Sequence, residues 1–244
     1  MRAAFYDELE AVTADLVSMC ELSASAMDRA TTALMDSDLD IAESVIEKDE
    51  EVDRLQRQLE ERAYDLLARQ QPVATDLRTI VASLRMSADV ERMGDLARHI
   101  AKLARLRYPD SAVPAPLRLT ILEMNQAAVR IAAKAATVIA NRDVATALEI
   151  ERDDDEMDRL HRALFAQLLD TQDTYSLETA IDVTLAGRFY ERFADHAVSV
   201  ANRVVYLVTG ERREDYVPAP SRAPLSATIM SLRHDTLRGA QISS

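Results

Sequence analysis

The sequence predicts an all-α protein of six long helices, arranged as two homologous three-helix units and followed by a flexible C-terminal tail. The first observation is composition. Among 244 residues there are four glycines, no tryptophan and 5% aromatics, with a heavy load of Ala, Leu, Arg, Glu and Asp. These residues lose little freedom in a helix, whereas the β-branched and aromatic residues that strands favour are thin. The second is punctuation by proline, which breaks helix interiors: Pro72, Pro109, Pro114, Pro116, Pro218, Pro220 and Pro224 fall between long proline-free runs. The third is an internal repeat. "DLDIAESVIEKDEEVDRLQ" (38–56) aligns without gaps on "DVATALEIERDDDEMDRLH" (143–161), and "VERMGDLARHIA" (from Val90) matches "YERFADHAVSVA" (from Tyr190). The offsets, 105 and 100, place the longer connection between the second and third helices in the first half.

The elements follow in order. Over about 5–35, Leu9, Val12, Leu16, Met19, Ser23, Ala26, Ala30 and Ala33 alternate at spacings of three and four, the seam of a bundle helix. "MDSDLD" interrupts it, with Ser37 or Asp38 as N-cap of a second helix striped by Ile41, Val45, Val52, Leu55, Leu59, Ala63 and Leu66. Pro72 marks a junction, and a third helix runs from about Asp76 to Arg107. "YPDSAVPAPL" is a linker. The order then returns over about 117–140, 143–171 and 175–209, stopped by Gly210. The organisation is therefore a first repeat at 1–108, a linker at 109–116, a second repeat at 117–217, and a tail at 218–244 that lacks sustained periodicity and reads as disordered.

Charge narrows the function. The net formal charge is −13, of which the tail contributes +2, leaving −15 on the rest. Such a body cannot neutralise phosphates on a large scale, which argues against nucleic acid as a partner. A free anion would need a bound cation or a local arginine cluster. Cys20 is the only cysteine, as expected in a reducing compartment. Asp7 and Glu8 stand where a signal peptide would be apolar, and no uncharged run approaches the roughly 18 residues that span a bilayer. The expected location is cytoplasmic, with membrane association only through a partner.

The repeated Glu-Arg-x-x-Asp is the feature to explain. Residues four apart share a helix face, so Glu91 neighbours Asp95 and Glu191 neighbours Asp195. At about 100° per residue, Leu77, Ile80, Val81, Leu84 and Ala88 project onto the sector of Glu91 and Asp95; in the second half Thr184 and Arg188 dilute the stripe. The second helices add Asp49 with Asp53 and Asp154 with Asp158, on the flank of their stripes. Carboxylates near a core are costly unless protonated, paired or coordinated. Four of them from two helices suit a hard, oxygen-preferring cation such as Mg²⁺, Mn²⁺ or Fe. The competing explanation is that Glu91 and Glu191 pair with Arg92, Arg192 or Arg85, and that the second-helix aspartates form a solvated face.

Other chemistry has weaker support. Gly94 sits inside a helix at a cost of about 1 kcal/mol against Ala, which close packing would explain. His99, His161, His196 and His234 read as boundary residues rather than ligands, although His161 lies three after Asp158. No Ser-His-Asp arrangement, Gly-rich phosphate loop or HExxH is present, so a non-enzyme is expected. A di-iron carboxylate enzyme would use Glu-x-x-His pairs, and the sequence has none. A metal-free helical scaffold is the remaining alternative.

"QPVATDLRTI" (71–80), "ADVERMGDLARHIA" (88–101) and "ERFADHAVSVANRVVYLVTGE" (191–211) resemble the PhoU family, regulators that accompany the bacterial phosphate ABC transporter. The resemblance covers about residues 5–212. It implies two three-helix bundles related by a pseudo-twofold and multinuclear metal clusters held by Glu/Asp-x-x-x-Asp motifs. These motifs fall on Asp49 and Asp53, Glu91 and Asp95, Asp154 and Asp158, and Glu191 and Asp195. Iron is the first expectation for the metal, with zinc, manganese or magnesium as alternatives. The family also implies repression of the phosphate-starvation response, by linking the transporter's ATPase subunit to a sensor histidine kinase, and a homodimer. The sequence departs from the family where His99 and Ser199 replace Asn, and Phe189 stands opposite Asp89 of the first half. Those changes imply weaker metal binding or a different nuclearity at the second site.

Overall fold

In a computed structural model, which describes residues 2–170 and 175–217, six helices follow one another: α1 (Arg2–Asp36), α2 (Leu39–Gln70), α3 (Ala74–Arg107), α4 (Arg118–Asn141), α5 (Val144–Asp170) and α6 (Leu177–Thr209). A 3₁₀ turn, Ala115–Leu117, completes the linker, and among the described residues there is no strand. The expected tail at 218–244 lies outside the described residues.

Local chemistry sets the boundaries. Asp38, not Ser37, caps α2, accepting from the Ile41 backbone N–H at 2.9 Å, while Ser37 turns the chain with a left-handed φ of 52°. Gln71, also left-handed, ends α2 just before Pro72. Asp143 opens α5, accepting from the N–H groups of Ala145 and Thr146 and from the Thr146 hydroxyl; these bonds hold its carboxyl below the usual range, the hydroxyl contributing most. Ser176 caps α6, and Gly210 closes it at φ 80°, donating to the Tyr206 carbonyl.

Residues 1–213 form one compact unit, with Glu214–Val217 the described start of the next. Within it α2 packs on α1 and α3, and α5 packs on α4 and α6. The repeats then join through α1 against α4 and α3 against α6, equivalent elements meeting across the pseudo-twofold. The core is built of the α1 seam, Leu9, Val12, Leu16 and Met19, and of alanine-rich faces on α3, α4 and α6. Cys20 lies within it, fully buried, and burial pushes its thiol up to about 12.

The buried face of α3 shares only Ile80 with the stripe expected from the sequence. Because α3 packs on α1, α2 and α6, its core track is Ile80, Ser83, Ser87, Val90, Gly94, Ala97 and Ala101, of which Ser83, Ser87, Gly94, Ala97 and Ala101 are small and let backbones approach. Leu77 and Val81 are 41% and 39% exposed. Glu91 and Asp95 continue this outer track, so the acids line the rim of the α2–α3 groove rather than the core.

Candidate metal centres

Asp49 is the most deeply placed of the eight acids. It lies within the α2 stripe at Val45, Asp49 and Val52, not on its flank as expected, and is 7% exposed. Gly94 is the reason that it fits, since a Cβ there would stand 3.3 Å from Asp49 Oδ1. Burial pushes the Asp49 carboxyl up; Arg98 opposes this, Asp53 and Asp95 add to it, and Lys102 opposes it again. Glu91 is likewise pushed up, by burial first and then by Asp95, against Arg92. Asp49, Asp53, Glu91 and Asp95 are thus close enough to feel one another's charge.

Arginines already occupy this cluster. Arg98 Nη1 stands 2.5 Å from Asp49 Oδ2, and its Nη2 donates to Asp95 Oδ1. The Asp49 contact is a close charge pair whose N–H is out of line for a directed hydrogen bond, so Oδ2 has no aligned donor. On the outer side Arg92 donates to Asp95 Oδ2 at 2.6 Å and lies 3.5 Å from Glu91.

The second cluster has the same four acids and a different charge balance. Burial raises the Asp154 carboxyl on α5 to about 6, with Asp195 contributing next and then Asp158, Asp155 and Glu191. Arg188 pairs with Glu191, and Arg162 stands 3.7 Å from Asp158. Among the described residues neither Asp154 nor Asp195 is in an ion pair. The acidic run "DDDEMD" divides by face, because Asp153 instead turns to α4 and takes Lys134 at 2.9 Å and Arg130 at 3.5 Å.

Within each predicted set the acids lie near enough to act on one another's charge, one set across α2 and α3 and one across α5 and α6. Of the arginines considered as partners, Arg92 pairs with Glu91, but Glu191 takes Arg188 rather than Arg192. Arg98 was not singled out by the sequence, although its position three after Asp95 is a detectable signal. The histidines stay at the margins. His161 packs edge-on to Phe165, with burial lowering its pKa; His99 lies 5.1 Å from Phe189; His196 meets Asp89 at 3.1 Å between α3 and α6. His234 lies outside the described residues.

An all-oxygen donor set of carboxylates suits a hard cation. Among the described residues no three Asp, Glu, His or Cys side chains converge closely enough to hold a metal as they stand. By donor chemistry the second cluster fits a cation. In the first, a guanidinium already stands between the two helices.

Two segments of the chain, residues 16–104 and 121–204, each match the PhoU domain. The chain is 46% identical over 210 residues to phosphate-specific transport system accessory protein PhoU homolog 2 of Mycobacterium tuberculosis, covering 86% of this chain and 99% of that one. It is 45% identical over 222 residues to PhoU homolog 1 of Mycobacterium leprae, covering 91% and 100%. Among solved structures, the phosphate transport system regulatory protein PhoU from Streptococcus pneumoniae superposes with a TM-score of 0.77 at 26% identity, over 85% of this chain and 98% of that one. PhoU from Pseudomonas aeruginosa gives 0.75 at 28%, over 85% and 100%.

Proposed function

The chain belongs to the PhoU family, and on that premise we propose that it is an accessory regulator of phosphate uptake and a repressor of the phosphate-starvation response. It acts as an adaptor between the phosphate ABC transporter's ATPase subunit and a sensor histidine kinase, without catalysis of its own. The observation that carries this reading is that both repeats match the PhoU domain, so nearly the whole helical unit is accounted for by that one family. Relatives 45% and 46% identical over the aligned residues are named as accessory proteins of a phosphate-specific transport system. No helix among the described residues is long and apolar enough to cross a membrane; in this reading the chain meets the transporter at its cytoplasmic face, as a homodimer.

Metal is part of the proposal. Asp49, Asp53, Glu91 and Asp95, and Asp154, Asp158, Glu191 and Asp195, are the acids that would hold it, with iron first and zinc, manganese or magnesium as alternatives. A bound cation supplies positive charge that relieves repulsion among carboxylates and ties neighbouring helices together. These acids are its candidate ligands, and Gly94 gives Asp49 room beside α3.

A body charge of −15 would be steered toward basic patches on its partners, and that attraction is screened by salt. Purified chain should bind the ATPase subunit or the kinase's cytoplasmic region in a surface-binding assay, with affinity falling as ionic strength rises from about 0.05 to 0.5 M. Absence of binding to both partners at low salt would overturn the adaptor role.

A further inference from the structure

We propose that Arg98 is a built-in counter-ion that fills the first acid cluster, so that metal binding in this chain falls to the second, Asp154, Asp158, Glu191 and Asp195. The inference rests on the metal-binding reading above and separates two sites that the repeat makes look equivalent. It also reverses the expectation that the second site is the weaker one.

Arg98 does for α2 and α3 what a cation would do. One guanidinium nitrogen is 2.5 Å from Asp49 on α2, and another donates to Asp95 on α3, so a single positive charge bridges the helices. A guanidinium that donates to one carboxylate and sits in close charge contact with another is hard to replace, since both lose their counter-ion at once. Its side chain is only 28% exposed, against 52% for Arg188 and 72% for Arg162. Lys102, one turn further along α3, adds a second positive charge felt by Asp49. A divalent cation entering this cluster would meet like charge and would have to displace Arg98 from a buried aspartate, stranding a costly ion.

The second repeat lacks both bases. At the offset of 100 that aligns the acids, Arg98 corresponds to Val198 and Lys102 to Asn202. Asp154 on α5 and Asp195 on α6 are consequently left without an ion-pair partner among the described residues. The arginines that do touch this cluster, Arg188 on Glu191 and Arg162 on Asp158, are long exposed side chains that can swing into solvent. Two clusters of identical acids thus differ in who supplies the cation: the chain itself in the first, the solution in the second.

The test is a calorimetric Mn²⁺ titration of the full chain, with bound metal counted by mass spectrometry. Wild type should show binding that Asp154→Asn weakens about tenfold or more, and far more than Asp49→Asn does. Arg98→Val, which installs the residue of the second repeat, should gain a further class of Mn²⁺ binding, and adding Asp49→Asn should remove that gain. The reciprocal Val198→Arg should weaken the wild-type binding about tenfold. It keeps the comparison decisive if Arg98→Val fails to fold by circular dichroism. Equal weakening by Asp49→Asn and Asp154→Asn, or unaltered binding in Val198→Arg, overturns the proposal while leaving metal binding intact. No Mn²⁺ binding in wild type or in any variant overturns both readings together.

Discussion

Asp154 shows how one side chain carries the tension of its cluster. Burial, and then Asp195, Asp158, Asp155 and Glu191, push its carboxyl up to about 6. In the unfolded chain an aspartate titrates near about 3.9. Between these values the native state holds a proton that the unfolded state does not, so stability is greatest below about pH 4 and is lost as pH rises through about 6. Asp154→Asn should therefore stabilise the chelator-treated protein at pH 7.5, by on the order of 1 kcal/mol once solvent screening of a half-buried group is allowed for. Thermal melts should show a rise of about 2–4 °C that shrinks toward zero at pH 4.5. A constant difference across that range would mean that Asp154 does not titrate as described. Gly94 is the residue-scale counterpart in the first repeat. Its helix-propensity cost is matched by the room it leaves for Asp49, whereas Ala194 stands at the corresponding position of the second repeat.

At the scale of elements, polar groups sit where the two repeats join. Thr31 on α1 has one proton, shared between the Met27 carbonyl at 2.8 Å and Asn125 Oδ1 at 2.9 Å, so the Tyr190 hydroxyl of α6 donates to Thr31 at 2.6 Å. Asn125 on α4 in turn donates to Asp28 of α1 at 2.8 Å. This buried network ties α1, α4 and α6, and burial raises the Tyr190 hydroxyl well above its ordinary value. Elsewhere Asp89 of α3 takes His196 and Arg203 of α6 at 3.1 and 3.0 Å, and Arg107 grips both oxygens of Asp182. Tyr190→Phe removes one hydrogen bond and should cost about 1 kcal/mol. Thr31→Val should cost more, about 2–3 kcal/mol, because it strands the Tyr190 hydroxyl and the Asn125 carbonyl inside the core. Urea unfolding of the two variants gives the comparison, and equal costs would mean that the network does not act through Thr31.

For the whole molecule, the repeats are separate in sequence and shared in their core. The apolar face of α1 is covered by α4 as well as by its own partners, and α3 lies on α6. Residues 1–108 alone would expose both of those faces, and so would 117–217. Urea unfolding of the full chain, followed by circular dichroism and by tyrosine fluorescence, should therefore give one coincident transition. The isolated halves should be largely unfolded or self-associated. Two separated transitions, or a stably folded half, would show that each three-helix unit is self-sufficient.

The helices were legible in the sequence because their determinants are local. Prolines 72, 109 and 114 bar continuation, Asp38, Asp143 and Ser176 satisfy free N–H groups, and Gly210 takes the left-handed turn; each acts within a few residues. Duplication made the eight acids legible as two sets, since matched offsets reveal a repeat without any structure. The face that each helix buries could not be read so simply. The core track of α3 runs through Ser83, Ser87 and Gly94, which are not apolar, while Leu77 and Val81 lie outward, because burial is set by three neighbouring helices rather than by the hydrophobicity of one. Charge pairing was decided later still. Arg98 meets Asp49 from 49 positions away only when α2 lies against α3, and Val198 leaves Asp154 without that partner, so clusters alike in their acids acquire different electrostatics through packing.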